Sequence, residues 1–227
     1  MAKTILVVGF GPGISSGVAE QFGKQGFSVA LVGRNADRVG AGAAALSEQG
    51  IRAHGFVADA AQPASLRAAI AQVREAFGPI SVVHWNAYGG GAGDLTTATT
   101  DELRGVFDVA IVGLVTTVQE LLPDLKGEGG AVLVTNGGLG LFDDKVDTLG
   151  AQFGLMGLSI ANSAKHKAVR LLAKKLAPDG IYVGEVMVTG SVKGTSFDRG
   201  GATLEPSAIG ARFWQLYQER TERSVIV

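Results

Sequence analysis

Short apolar runs alternate along the whole chain with segments of helical periodicity, and this alternation limits the fold more than any other feature. Most of the runs are continuously apolar, which is typical of parallel strands buried on both faces. They predict strands at 4–9, 27–33, 51–58, 80–86, 130–136, 181–188 and 224–227. Helices are predicted from residue 14 and at 36–49, 63–77, 100–122, 149–177 and 206–223. This order predicts an α/β fold, a doubly wound sheet of about seven parallel strands flanked by helices on both faces.

The composition excludes several classes of protein. The 227 residues include no cysteine, which excludes disulfides, thiolate nucleophiles and cysteine-ligated metal sites. The net charge of −1 argues against a nucleic-acid partner. Polar residues interrupt the long uncharged stretch 148–164, so we expect no membrane span. We see no secretory leader, linker or repeat, so the sequence predicts a single domain over 1–227. We expect the protein in the cytoplasm, and we expect no metal site.

Glycine is unusually frequent, and one cluster of glycines follows the first predicted strand. Thirty-four residues are glycine, about twice the usual share of about 7%. The cluster leads directly into the first helix and reads Gly9-Phe10-Gly11-Pro12-Gly13-Ile14. Amide groups at such a helix start can bind a pyrophosphate, and the missing side chains allow its close approach. The strict G-x-G-x-x-G string is absent, but the position of the turn predicts a Rossmann-type dinucleotide site.

Five motifs in chain order resemble those of the short-chain dehydrogenase/reductase family. They are the glycine turn, Val57-Ala58-Asp59, Trp85-Asn86-Ala87-Tyr88, Leu176-Ala177-Pro178 and Thr189-Gly190-Ser191-Val192. The resemblance covers nearly the whole chain and implies an oxidoreductase that uses a nicotinamide cofactor and a small-molecule substrate. It implies cofactor contacts at the matching positions, which are Gly9, Gly11, Gly13, Ile14, Arg34, Asn35, Asp59, Asn86, Thr189, Gly190 and Val192.

The end of the second predicted strand favours NADP(H) over NAD(H). Members of the family that prefer NAD usually carry an acidic residue there, whereas this chain has Arg34 followed by Asn35. A guanidinium can bind a 2′-phosphate through two hydrogen bonds, and no carboxylate repels it. The alternative is an exposed arginine at a helix start, although a positive charge is mildly unfavourable at that end of a helix.

The side chains that the family uses for catalysis are missing from their expected places. The resemblance implies a Tyr, a Lys four residues later, a Ser and an Asn. Counted back without gaps from Leu176-Ala177-Pro178, the Tyr and Lys places hold Leu158 and Asn162. The end of the fifth strand puts Gly137 at the Ser place, and the fourth helix puts Ala110 at the Asn place. A leucine cannot donate a proton, so another group must protonate a reduced product.

Three residues are the candidates for the catalytic role, and one more is a weaker alternative. They are Asn136 and Asn162, whose amides could bind an oxyanion, and Tyr88, whose phenol follows the fourth strand. His166 shares a helical stripe with Asn162, although a solvated histidine is the simpler interpretation. The segment at about 191–206 resembles the part of the family fold that covers the substrate.

Charged and apolar surfaces of the fifth helical region suggest solvent contact and self-association. We interpret Asp143, Asp144 and Asp147 as solvated loop charges rather than a metal or acid/base site. The basic residues of the helix are interpreted as one exposed face, namely Lys165, Lys167, Arg170, Lys174 and Lys175. The helical stretch 149–164 is apolar on more than one side, which predicts a homodimer or homotetramer.

The sequence leaves two functions open. The favoured one is an NADP(H)-dependent oxidoreductase that transfers a hydride to or from a C=O bond, or an activated C=C or C=N bond, with a non-standard proton donor. The alternative is a catalytically inactive NADP(H)-binding sensor or scaffold. The first is favoured because a cleft with lid-like loops has no use in a scaffold.

Overall fold

The computed structural model describes residues 2–127 and 129–227, and its centre is a seven-stranded sheet. The strands lie in the order β3-β2-β1-β4-β5-β6-β7, and each neighbouring pair is parallel. The strands are β1 Thr4–Val8, β2 Ser28–Gly33, β3 Ala53–Val57, β4 Val82–Trp85, β5 Ala131–Gly137, β6 Tyr182–Val188 and β7 Ser224–Ile226. The order reverses between β1 and β4, so the predicted doubly wound α/β fold is confirmed.

Eight α-helices are formed by the described residues and cover both faces of the sheet. They are α1 Ile14–Lys24, α2 Ala36–Glu48, α3 Pro63–Phe77, α4 Thr100–Phe107, α5 Leu114–Leu125, α6 Asp144–Gln152, α7 Met156–Leu176 and α8 Pro206–Glu219. Several begin where the sequence carries start signals: Thr99 and Glu102 form a capping box on α4, and Asp143 caps α6. Asp143 therefore has a structural role in the acidic loop.

The core consists of two apolar layers, one on each face of the sheet. Successive residues of β1 alternate between them: Leu6 packs with α3, α5 and α7, and Val7 packs with α1, α2 and α8. Both residues are at most 1% exposed. Each such fully buried aliphatic side chain contributes roughly 1.5–3 kcal/mol to the free energy of folding. Burial on both faces explains why the strands read as continuous apolar runs.

Two predicted helices differ from the structure in their continuity. The helix expected over 100–122 contains a π-helical segment, Asp108–Gly113, between α4 and α5. The helix expected over 149–177 is two helices, because Gly154 adopts a left-handed conformation with φ +64° between α6 and α7. The apolar periodicity runs through both breaks and so hides them.

The stretch Thr100–Leu125 is long and apolar enough to cross a membrane by length and composition alone. Part of its apolar surface is used within the fold, since Leu114, Val118, Leu121 and Leu125 are at most 2% exposed against the sheet. The core helix of a soluble protein can have the same length and composition, so these two properties are weak evidence for a membrane span.

Candidate functional site

A cavity of about 1320 Å³ opens at the carboxyl ends of the central strands. This is the edge where ligands bind in doubly wound sheets. The cavity is lined by the loops that follow β1 to β6, so it brings together residues from most of the chain. The predicted site residues that line it are Gly9, Gly11, Ile14, Arg34, Asn35, Asp59, Asn86, Tyr88, Asn136, Asn162, Thr189, Gly190 and Val192. Gly13 does not line the cavity.

The glycine turn is shaped by close backbone contacts. Gly9 has φ +82°, and a Cβ there would lie 2.5 Å from the backbone nitrogen of Ala87. Gly13 is the N-cap of α1 with φ +92°, and a Cβ there would overlap Thr195. These two positions therefore require glycine, which explains why Gly13 matters to the turn although it lies behind the cavity wall.

Side-chain hydrogen bonds hold the turn in place. The Ser15 hydroxyl accepts a hydrogen bond from the Gly11 amide and donates one to the Gly11 carbonyl, each at 2.9 Å. The Asn86 amide donates to the Gly9 carbonyl at 3.2 Å, which ties the loop after β4 to the turn. The turn is therefore fixed from two neighbouring strands.

The first turn of α1 fits a pyrophosphate group. No side chain caps the amide groups at the start of this helix, so they are available to an anion. A Cβ at Gly11 would meet only the Arg38 guanidinium, 4.0 Å away, so the cradle is open on the cavity side. The backbone thus provides both the donors and the space that a dinucleotide needs.

Two guanidinium groups lie at the end of the cavity that is formed by the loop after β2 and by α2. Arg34 and Arg38 both line it and are exposed to solvent. Asn35 accepts a hydrogen bond from the Arg38 amide at 2.8 Å and thereby caps α2. Arg38 is not among the predicted residues, but its position one helical turn after Arg34 could have indicated it.

The opposite end of the cavity is walled by β5 and α7. Leu158 and Asn162 lie one turn apart on α7 and both line the cavity, as does Gly137 at the end of β5. A Cβ built on Gly137 would lie 2.6 Å from Asn162 Nδ2, so the asparagine amide occupies the space beside this glycine. Ala110, in the π-helical segment, is 2% exposed and does not line the cavity.

Asn136 is bound tightly into this wall. Its Nδ2 donates hydrogen bonds to the Asn162 carbonyl at 3.1 Å and to Glu185 Oε2 at 2.9 Å. Its Oδ1 accepts from the Gly137 amide at 3.0 Å. Both amide protons are therefore engaged, which favours a positioning role over a direct contact with substrate.

Tyr88 contacts the predicted covering segment. Its hydroxyl is 2.9 Å from Ser196 Oγ, and its ring centre is 5.8 Å from that of Phe197. Within this segment Val192 and Leu204 form a short parallel bridge. Tyr88 thus links the loop after β4 to the segment 191–206, which contributes residues to the cavity lining.

The wall contains two buried charged side chains that the sequence interpretation missed. Lys165 lines the cavity and is 3% exposed, and Glu185 of β6 is 0% exposed. Burial lowers the pKa of Lys165 to about 8, while the negative charge of Glu185 acts in the opposite direction. Glu185 Oε1 also forms a hydrogen bond with Nδ1 of His166.

The interpretation of the α7 basic residues as one exposed face is therefore wrong for Lys165. It holds for the exposed residues Lys167, Arg170, Lys174 and Lys175. Two signals could have identified Lys165. It lies three residues after Asn162 on the same stripe of the helix. A single acidic residue also interrupts the apolar run of β6, and a buried charge requires a partner.

The sequence and the fold were compared with known proteins. The family model for short chain dehydrogenases matches residues 3–200. A mouse relative, 17-beta-hydroxysteroid dehydrogenase 13, is 26% identical over 228 residues, which cover 99% of this chain and 69% of that protein. The chain covers only 44% of the rat protein of the same name. An uncharacterised oxidoreductase of Staphylococcus aureus is 25% identical over 91% of this chain and 87% of its own length.

The fold is also found among solved structures. A short chain dehydrogenase from Burkholderia cenocepacia, crystallised in complex with NADP, superposes with a TM-score of 0.86. It is 24% identical, and the match covers 99% of this chain and 96% of that one. At this identity the likeness shows the fold alone. The family model, however, matches far more than half of the sequence, and the chain belongs to the short chain dehydrogenase family.

Proposed function

We propose that the chain is an NADP(H)-dependent oxidoreductase that transfers a hydride to or from a small organic substrate. The reacting bond is C=O, or an activated C=C or C=N, and its proton comes from a group other than the family's tyrosine. One observation carries the proposal: a single cavity joins the uncapped N-terminus of α1 and two guanidinium groups to the polar wall of β5 and α7. A dinucleotide and a small substrate thus have adjoining places.

The preference for the phosphorylated cofactor is supported by charge. Arg34 and Arg38 lie where the loop after β2 meets the cavity, and no acidic residue stands at the end of that strand. Two guanidinium groups can share the oxygens of a 2′-phosphate, whereas NAD(H) offers them only a hydroxyl. Structural neighbours from Burkholderia cenocepacia and Sphingobium yanoikuyae are complexes with NADP and NADPH, respectively, which is consistent with this preference.

The bound cofactor would supply the hydride, and the chain's own residues would orient the substrate. Asn162 Nδ2 stands beside Gly137 at the cavity surface, and no described residue accepts a hydrogen bond from it. It can therefore donate to a substrate oxygen and stabilise the negative charge that develops there. Tyr88 and the segment 191–206 would exclude water by covering the cavity.

The Arg34→Ala variant tests the choice of cofactor. Loss of a charge-assisted contact to phosphate should weaken NADPH binding by about 10- to 100-fold, or about 1.5–3 kcal/mol. NADH binding should change by less than about twofold, because its ribose carries no phosphate. A fluorescence titration with both cofactors measures the ratio, and equal losses for both would contradict the assignment of NADP(H).

Turnover is tested with purified protein and a panel of electron-poor carbonyl compounds. The panel contains 4-nitrobenzaldehyde, 9,10-phenanthrenequinone and 2-cyclohexenone, with an aryl imine as the C=N member. Substrate-dependent loss of NADPH absorbance is the expected result. Tight NADPH binding without turnover on any member would favour the second function.

That second function is a catalytically inactive NADP(H)-binding sensor or scaffold. It is favoured by Leu158, which faces the cavity from α7 but carries no proton to donate. A sensor would show a change in the segment 191–206 when NADPH binds, and hydrogen exchange of that segment would detect it.

We also propose that the chain self-associates into a dimer or tetramer. Around α6 the side chains of Phe142, Leu149 and Phe153 are 90%, 46% and 67% exposed, an unusual density of exposed apolar surface. Light scattering at micromolar concentration should give at least twice the mass of one chain. A Phe153→Ser variant should shift the protein toward the monomer, and a monomeric parent protein would refute the proposal.

A further inference from the structure

A lysine and a glutamate lie buried in the part of the cavity wall that is formed by β5, α7 and β6, which is called the substrate half below. Lys165 and Glu185 are 3% and 0% exposed, in a part of the fold whose other buried side chains are mostly apolar. Removing two charges from water is unfavourable, and their mutual attraction often fails to offset that loss. A packing role would be served better by two apolar side chains, so this pair calls for another explanation.

The position of Lys165 on α7 directs its amine toward the cavity. Leu158, Asn162 and Lys165 follow one another at helical spacing, and all three line the cavity. Side chains on a helix lean toward its N-terminus, so Lys165 extends over the preceding turn, where Asn162 stands. Asparagine is much shorter than lysine, which leaves room for the Lys165 chain to reach the surface of the cavity.

The surroundings of Lys165 keep its donor groups available. No hydrogen bond or ion pair joins Lys165 to another described residue. Fully buried nitrogen atoms without a partner do occur in the described residues, but Lys165 Nζ is not one of them, so solvent reaches this atom. The ammonium thus has access to the cavity. The charge acting on it is that of Glu185, which sits below it on β6.

Glu185 is held rigidly for this purpose. Its Oε2 accepts the hydrogen bond from Asn136, and its Oε1 is paired with His166, whose side chain is 26% exposed. The π-helical segment that packs against α7 carries one carboxylate, Asp108, and β5 offers the neutral Asn136, but the charge that acts on Lys165 is that of Glu185. The remaining titratable groups of the lining are Arg34, Arg38, Asp59 and Tyr88, which follow β2, β3 and β4.

We propose that the Lys165 ammonium is the proton donor of the reduction and that the negative charge of Glu185 favours its charged form. As the carbonyl carbon is reduced by hydride, the substrate oxygen takes a proton from Lys165. One O–H bond forms, one N–H bond breaks, and the lysine remains as a neutral amine. Water in the cavity returns the proton to the amine. In the oxidative direction the neutral amine accepts the hydroxyl proton.

The proposal predicts a characteristic dependence on pH. Reduction needs the charged lysine, and the pKa of Lys165 is lowered to about 8, so the reduction rate should fall as the pH rises through that value. Glu185→Gln removes the negative charge that favours the ammonium. The falling limb should therefore move by about one unit toward lower pH.

Three variants of α7 separate proton donation from charge and from packing. Lys165→Met keeps the length of the side chain, and it should lower kcat for 4-nitrobenzaldehyde by about 10²- to 10⁴-fold. Lys165→Arg keeps the charge but cannot release a proton near neutral pH, so it should fail to restore kcat. Lys167→Met is the matched control, because Lys167 is exposed on the same helix. NADPH affinity should stay within about twofold of that of the parent protein in all three.

An NMR titration gives a second readout that does not need turnover. Protein labelled with ¹³C at the lysine ε-carbons is titrated with NADP⁺ bound, and the Lys165 signal is assigned by its loss in Lys165→Arg. The expected midpoint lies near pH 8, and a Lys165 signal that stays charged beyond pH 10 would overturn the proposal.

Because this role rests on the proposed hydride transfer, the outcomes must be separable. If the parent protein binds NADPH but reduces no member of the panel, the proposed function fails and the donor role fails with it. If the parent protein turns over and Lys165→Met or Lys165→Arg retains its rate, the donor role alone is wrong. Turnover that is lost in both variants and kept in Lys167→Met supports it.

Discussion

The two halves of the cavity are built in different ways. The cofactor half, after β1 and β2, is formed by backbone amides and by glycines such as Gly9, and its charged side chains, Arg34 and Arg38, are exposed. The substrate half, after β5 and β6, is formed by buried polar side chains that bind one another. Exposed side chains of the first half should therefore be removable without loss of stability, whereas the hydrogen-bonded side chains of the second, such as Asn136, should not.

The largest expected effect tests the backbone of the cofactor half. Gly9→Ala places a Cβ 2.5 Å from the Ala87 nitrogen in a conformation with φ +82°. Strain and overlap together should cost about 3 kcal/mol, or about 6–12 °C in Tm, and abolish NADPH binding. Gly26→Ala is the matched control, because Gly26 has φ +85° and open space around its Cβ. It should lose only about 1 kcal/mol.

A change in the substrate half should affect stability more than cofactor binding. Asn136→Ala removes the hydrogen bond to the fully buried Glu185 carboxylate, so we expect a loss of about 2 kcal/mol, or about 4–8 °C in Tm. NADPH affinity should change by less than about twofold. Asn162→Ala serves as the control, since no described residue bonds to that amide, and an equal loss of Tm there would remove the distinction between the two asparagines.

A guanidinium of the cofactor half should show the reverse pattern. Arg38→Ala should weaken NADPH binding by about 10-fold and leave Tm unchanged within about 1 °C, because the side chain is exposed. Isothermal calorimetry and a thermal melt measure the two effects. Arg170→Ala, on the exposed face of α7, should change neither, and a fall in Tm for Arg38→Ala would break the comparison.

The smallest expected effect lies at the contact between the two loops that cover the cavity. Tyr88→Phe removes the 2.9 Å hydrogen bond to Ser196 but keeps the ring beside Phe197. We expect KM for the substrate to rise by about two- to fivefold, in line with about 0.5–1 kcal/mol for one exposed hydrogen bond. Steady-state kinetics should show an unchanged kcat. A loss of turnover by about two orders of magnitude would instead make Tyr88 the proton donor.

The sequence was sufficient to predict the fold and the position of the glycine turn, because their signals are local. A strand buried on both faces is continuously apolar, and the turn at Gly9 requires glycine through its own backbone and its nearest contacts. The substrate half depends on contacts between distant residues. Lys165 and Glu185 lie 20 positions apart on different elements, so periodicity along α7 cannot distinguish this lysine from an exposed one. The break between α6 and α7 at Gly154 is also hidden, because the apolar periodicity continues across it.

The contact between Gly137 and Asn162 limits how this site can change over evolutionary time. A Cβ at Gly137 would lie 2.6 Å from Asn162 Nδ2, so a larger residue at 137 requires the Asn162 side chain to move or to be replaced. These are the places that the family resemblance assigns to its serine and lysine. The two positions are therefore coupled, and a designer who introduces a serine at 137 should choose the residue at 162 together with it.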